Sequence, residues 1–405
     1  MIDGRKDDVL LLGGHVIDPA NGIDGAADVL ISDGKIAEVG RDLNAPANAK
    51  VVDVIGKFVV PGIIDMHAHC FETHSRSKLS LNPIVNTFSS GVTTVVDAGT
   101  AGWRDFPIFK LEIIDKAKIR ILSYVNIVGQ GMGSGGLGGA WEHDAHEMRP
   151  KLAAAVAGEY ADVVVGIKTA HYWAKRPFDA DHLPWTAVDM ALEAGDLCGL
   201  PIMVDFCPWL PERPYPTLLE KMRPGDIHTH VFAQQFPIID TNGKVYDHLW
   251  QARERGIIFD VGHGAASFWF RNAAPAIEQG FVPDSISTDL HTGNVNGPVI
   301  DMIECMNKIL NLGVPLADVI AKSTVAPAME IGHPELGTLA VGAEADIAVL
   351  DLAEGNFGFV DCGRETISGN RRLSCAMTFR AGEVVWNPNG HGLPHWKQGP
   401  TVPAR

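Results

Sequence analysis

A chain of 405 residues and 43.5 kDa can bury a substantial core, enough for one large α/β domain and a smaller one. Its composition, 46% hydrophobic and 20% charged, is that of an ordinary globular protein, without the ~20 unbroken apolar residues of a membrane span. The net charge of −16, with a pI near 5.4 and no basic patch, argues against nucleic acid or an anionic membrane as partner and leaves a small-molecule substrate; a homo-oligomer is compatible with it.

The N-terminus, from Met1 to Asp8, lacks the apolar core of a signal peptide. Six cysteines (Cys70, Cys198, Cys207, Cys305, Cys362, Cys375) are scattered without CxxC pairing, which suits a reducing, cytoplasmic location. The segment Val9 to Ile17, then Ala27, Val29 and Ile31 ahead of Asp33-Gly34-Lys35, predicts strands joined by tight turns, Asp-Gly being a hairpin signal. From residue 58 to 290 follow eight short apolar, β-branched runs: 58–64, 92–98, 119–127, 163–169, 201–206, 226–232, 257–262 and 285–290. Most gaps hold a helical periodicity, as in 149–161, 185–195 and 246–255, and such alternation predicts parallel strands with crossover helices. Eight units predict an α/β protein with a (β/α)₈ TIM barrel, in which chemistry sits where strands end. After residue 337 strand patterns return at 342–351 and 376–386. The expected division is therefore 1–57 and 338–405 as the two parts of a small β-sandwich, flanking a barrel at 58–337.

Polar residues that close the apolar runs are the candidates. His67 and His69 end the first run at i and i+2, so an extended chain presents both imidazoles to one cation; the alternative is a pair of loop histidines. Lys168 closes the fourth run, where burial would favour its neutral amine, unless it snorkels to the rim. His228 and His230 share a face of the sixth run, as core residues or as ligands. Asp289 closes the eighth, where a carboxylate can bind metal and take a proton from water, or cap a turn. His263 and His291, at the ends of runs seven and eight, are candidate substrate contacts or supports for the catalytic carboxylate. Tyr172, Trp173, Trp209, Phe268, Trp269 and Phe270 follow strand ends and could line an aromatic pocket or pack loops. Arg76, Arg104 and Arg271 could each hold a substrate carboxylate in a fork. The glycine-rich stretch 129–139 matches GxGxxG by letter from Gly131 to Gly136, but no acidic residue follows at the required place, and a lid is the better reading.

Together, Pro61-Gly62-Ile63-Ile64-Asp65-Met66-His67-Ala68-His69, Thr229-His230-Val231-Phe232, Ser287-Thr288-Asp289-Leu290 and the tail from Gly342 to Asp351 resemble the metal-dependent amidohydrolase superfamily, over nearly the whole chain. Gly166-Ile167-Lys168, Asp260-Val261-Gly262-His263-Gly264 and Thr288 to Asn294 are similar to its amidohydrolase/deacetylase branch. The resemblance implies two divalent ions, zinc by expectation, with His67, His69 and Asp289 on one, His230 on the other, and Lys168 bridging them as a carbamate formed with carbon dioxide. It also implies hydrolysis of an acyl amide or ester, such as an N-acyl amino acid or O-acyl hydroxy acid, by a metal-bound hydroxide, with Asp289 as the catalytic proton carrier.

One departure stands out. Where the family ends its fifth strand in histidine, this chain reads Met203-Val204-Asp205-Phe206-Cys207, so the expected ligand is Asp205, with Cys207 as a second candidate on the same face, and the alternative is a weaker, differently selective or empty second site with a single ion. Two alternatives stay open. A cyclic-amide hydrolase, like dihydroorotase or hydantoinase, would use the same centre, although the arginine that follows HxH in dihydroorotases is replaced by Cys70-Phe71-Glu72 and Arg76 is the nearest one. A barrel that lost catalysis and serves as a scaffold is the other.

Overall fold

The computed structural model describes residues 8–72, 79–132, 140–173, 177–206 and 211–397. Arg76, Cys207, Trp209 and most of the glycine-rich stretch, residues 133–139, lie outside the described residues.

The alternating N-terminal pattern forms β1 (Val9–Asp18), β2 (Ile23–Ser32) and β3 (Lys35–Gly40), the last two joined at Asp33-Gly34 as predicted. β4 (Lys50–Asp53) and β5 (Phe58–Pro61) then pair in parallel with β1. The apolar run expected as one strand from 58 to 64 is in fact divided at Gly62, because β6 (Ile63–Ala68) begins a different, parallel sheet. A Cβ at position 62 would collide with Thr93 Oγ1 and lie 2.9 Å from the Asp346 Cβ, so only glycine lets the chain pass from one sheet to the other here.

The parallel sheet continues in sequence order through β7 (Val92–Gly102), β8 (Arg120–Asn126), β9 (Val164–Thr169), β10 (Ile202–Val204), β11 (Ile227–His228) and β12 (Ile258–Phe259). Helices Phe106–Glu112, Pro150–Glu159, Thr186–Cys198, Tyr215–Lys221 and Asp247–Glu254 make the crossovers, and Phe270–Glu278 follows β12. The eighth predicted strand, 285–290, is instead an irregular segment with single bridges, Ser285 to Asp260 on one side and Leu290 to Ala68 on the other. Its ladder is interrupted because Thr288 turns its N–H (3.0 Å) and hydroxyl (2.5 Å) onto the buried Asp65 carboxylate. It still joins the last strand to the first: the Gly264 N–H donates to the Thr288 carbonyl (2.9 Å), and the Asp289 N–H donates to the His67 carbonyl (2.6 Å). The parallel sheet therefore curls until its two edges are tied through this segment.

The chain ends meet, as expected, in a second sheet. β13 (Ile347–Val360), β14 (Thr366–Arg380) and β15 (Glu383–Trp386) continue it in the order β15-β14-β13-β5-β1-β2-β3, with β4 on β1. Its hydrogen bonds make one eight-stranded mixed sheet rather than the two facing sheets of a sandwich. Val16, Val29, Val59, Ile347 and Phe379 form its own core, while Ile64, Val96, Leu122, Val165 and Met203 fill the inside of the parallel sheet. No helix among the described residues is long and apolar enough to cross a membrane.

Candidate metal centre

The strand ends bring His67, His69, Lys168, Asp205, His230 and Asp289 to one end of the curled sheet. Donor atoms of His67, His230 and Asp289 lie within 4.8 Å of one another. Asp289 Oδ1 stands 3.5 Å from His67 Nε2 and 3.0 Å from His69 Nε2, and Asp205 Oδ2 stands 3.4 Å from His230 Nε2. His230 and Asp289 both sit on left-handed backbone, at φ 64° and 49°, a strained state for non-glycine residues that surrounding structure must hold.

Tautomers decide what these contacts mean. The Thr229 hydroxyl donates its one proton to Asp260 Oδ2 (2.7 Å), so toward His67 Nδ1 (2.9 Å) it can only accept. His67 Nδ1 is therefore the protonated nitrogen, and Nε2 turns a lone pair on Asp289. Burial pushes this imidazole down to about 3, so it is neutral at physiological pH. His230 Nδ1 likewise donates to the Gly262 carbonyl (2.6 Å), directing Nε2 at Asp205. The neutral His67 lone pair and a carboxylate oxygen cannot bind each other, a contact that a cation held between them would relieve.

Lys168 fits the same requirement. It is fully buried and its Nζ has no hydrogen-bond partner among the described residues. Burial lowers its pKa despite the opposing pull of Asp205, Asp289 and Asp260, which favours the neutral amine. Gly99, at φ 77°, makes room for it: a Cβ there would lie 2.5 Å from the Lys168 Cβ. Burial alone would raise the Asp289 carboxyl, but the opposing pull of the surrounding histidines, the hydrogen bond with His69 among them, is larger and holds it below the usual carboxylate range.

Other candidates separate clearly. His291 is buried beside the centre; its Nδ1 accepts the Gly293 N–H (2.9 Å), which leaves Nε2–H as a donor, and burial keeps the ring neutral. His263 is engaged at both nitrogens, Nδ1 by the Gly264 carbonyl (3.0 Å) and Nε2 by the Lys308 ammonium (2.8 Å), so it supports the strand end and has no nitrogen left for substrate. Tyr172 packs in the main core, where its carbonyl accepts from Arg213 (2.8 Å). Arg104 and Arg271 are spent on surface pairs with Glu147 (2.6 Å) and Glu365 (2.8 Å). Trp173 stacks on His182 at 3.6 Å and Phe268 on His263 at 4.7 Å, which is loop packing.

His228 does not share a face with His230, because β11 ends at His228 and the chain leaves extended geometry before His230. It sits among Tyr215, Phe236 and Phe259, with neither nitrogen hydrogen-bonded among the described residues, and burial pushes it down to about 4. The unfolded chain then binds a proton between pH 6.5 and about 4 that the folded chain refuses, so stability present above pH 6.5 is lost as pH falls toward 4. We expect His228→Leu to gain about 2–3 kcal/mol on wild type between pH 7 and pH 4.5. Melting midpoints that fall in parallel over that range would show that His228 titrates normally.

One residue of the site escaped sequence reasoning. His171, three positions after Lys168 and at φ 54°, places Nδ1 3.1 Å from Glu142 Oε1 and Nε2 2.9 Å from Asp205 Oδ2. The only signal was its position just past a strand end.

The sequence profile of the amidohydrolase family matches residues 270–385. A deacetylase of Brucella anthropi is 32% identical over 388 residues, spanning 92% of this chain and 91% of that protein. The chain belongs to the amidohydrolase family. A deacetylase of Agrobacterium fabrum is 33% identical over 86% of this amidohydrolase and 84% of its own length, and one of Enterococcus faecalis is 30% identical over 94% and 99%. Among solved structures, an adenine deaminase superposes with a TM-score of 0.84 and a dihydroorotase with 0.80, each 29% identical over 94% of the chain and over 100% and 99% of theirs. This amidohydrolase is a metal-dependent hydrolytic enzyme, and His67, His230 and Asp289 form its candidate divalent-metal site.

Proposed function

We propose that this amidohydrolase removes an acyl group, of acetyl type, from a small N-acyl amino acid or O-acyl hydroxy acid. The observation that carries the reading is the near-full-length likeness to three deacetylases. Two divalent ions, zinc in this reading, would be held by His67, His69 and Asp289 and by His230 and Asp205. Lys168, carboxylated by carbon dioxide, would be shared between them; carboxylation turns a cation that metals repel into an anion that they attract. When bound, the ions lower the pKa of water toward ~7 and polarise the substrate carbonyl.

The protein's own groups do the rest. Asp289, held ionised, takes the proton of the attacking water on its carboxylate and returns it to the leaving amine or alkoxide. His69 Nδ1 is fixed by Thr100 Oγ1 (2.7 Å) and His67 Nδ1 by Thr229, so neither imidazole needs to reorient during turnover. The neutral His291 presents Nε2–H as a hydrogen-bond donor for a substrate oxygen.

The dihydroorotase likeness, at a TM-score of 0.80, favours a second reading in which the same centre opens a cyclic amide. Parallel assays separate the two. N-acetyl amino acids and acetylated hydroxy acids should turn over while dihydroorotate and hydantoins do not; ring opening without deacetylation would replace the first reading with the second.

A further inference from the structure

The fifth strand ends in Asp205 where the family has a histidine, yet an imidazole does reach this place, from another strand. His171, on the loop after β9, and His230, after β11, aim Nε2 at the same atom, Asp205 Oδ2, at 2.9 and 3.4 Å. Both rings are fixed through Nδ1, His171 by the buried Glu142 carboxylate (3.1 Å) and His230 by the Gly262 carbonyl (2.6 Å). A histidine whose far nitrogen is held by a carboxylate, with its near nitrogen turned on an anionic oxygen, has the orientation of a metal ligand. The spacing agrees: with bonds of about 2.0–2.2 Å, neighbouring donors on a tetrahedral zinc stand roughly 3.3 Å apart. The contacts of His67 and His69 with Asp289, at 3.5 and 3.0 Å, have the same span.

We propose that His171, oriented by Glu142, is a ligand of the second metal ion, replacing the missing strand-five histidine and sharing that ion with Asp205 and His230. The left-handed backbone at His171 is the local strain that carries the ring inward. The inference rests on the two-ion reading above, and its test separates the two.

Wild-type protein and His171→Ala, purified without chelators, are compared for metal per chain by plasma mass spectrometry. Stripped samples are then titrated with cobalt(II), read by visible absorption, and melted to confirm folding. Two equivalents in wild type and one in His171→Ala are expected. Glu142→Gln, which keeps the imidazole but loosens it, should weaken the second cobalt by about 10- to 100-fold. Two equivalents with unchanged cobalt affinity in His171→Ala would overturn the proposal and leave His171 as a salt-bridge partner of Asp205. If His171→Ala does not fold, unchanged second-site affinity in Glu142→Gln overturns it. A wild-type content below two would instead remove the two-ion reading, and this proposal with it.

Discussion

Asp289→Asn is expected to lower kcat by about 10³-fold, within the range that positioned proton transfer supplies, while the protein keeps its metal. The amide retains an oxygen at the place where Asp289 Oδ1 faces His67 and His69, so a ligand remains. What is lost is the ability to take a proton. The Asn294 amide holds the Asp289 carbonyl (2.6 Å), and Gly264 clears space for the second carboxylate oxygen, since a Cβ there would lie 2.6 Å from Oδ2. The variant side chain should therefore sit where the carboxylate does. Steady-state kinetics and metal analysis on one preparation give the answer, and a near-wild-type kcat with full metal content would remove Asp289 from proton transfer.

Lys168→Met is expected to act in opposite directions on function and on stability. Without the bridging group the metal content should fall below two and kcat/KM by at least about 10³-fold, the scale of losing an organised electrostatic element of a site. The metal-stripped protein should nevertheless gain about 1–3 kcal/mol, because a buried amine without a hydrogen-bond partner among the described residues is replaced by an apolar chain of similar volume. A merely structural lysine would predict the gain in stability without the loss of metal. Thermal melting of the stripped forms, with metal analysis of the loaded ones, tests both halves.

The part of the site legible in the sequence is the part that regular strands build. His67, His69 and Lys168 close apolar runs, and in a curled parallel sheet those ends converge, so spacing made them candidates and the family resemblance made them ligands. His230 and Asp289 were legible for the same reason, although both sit where the chain has already left extended geometry. His171 was not, because its orientation is set by Glu142 and Asp205, which lie 29 and 34 positions away in the chain. The role of His263 was hidden in the same way: Lys308, on the helix Met302–Asn311, occupies the nitrogen that a substrate would have used. In the fold, the apolar run beginning at Phe58 concealed a change of sheet that only the crowding at Gly62 explains. The irregular eighth segment follows from the pairing of Thr288 with Asp65, two polar residues 223 positions apart.

The central claim is a two-metal centre built on Lys168, and the most direct measurement is the metal content of wild-type protein purified without chelators in the presence of bicarbonate. Two divalent equivalents per chain, falling when Lys168 is replaced by methionine, are the predicted result. One equivalent or none in wild type, or two that persist in Lys168→Met, would contradict it.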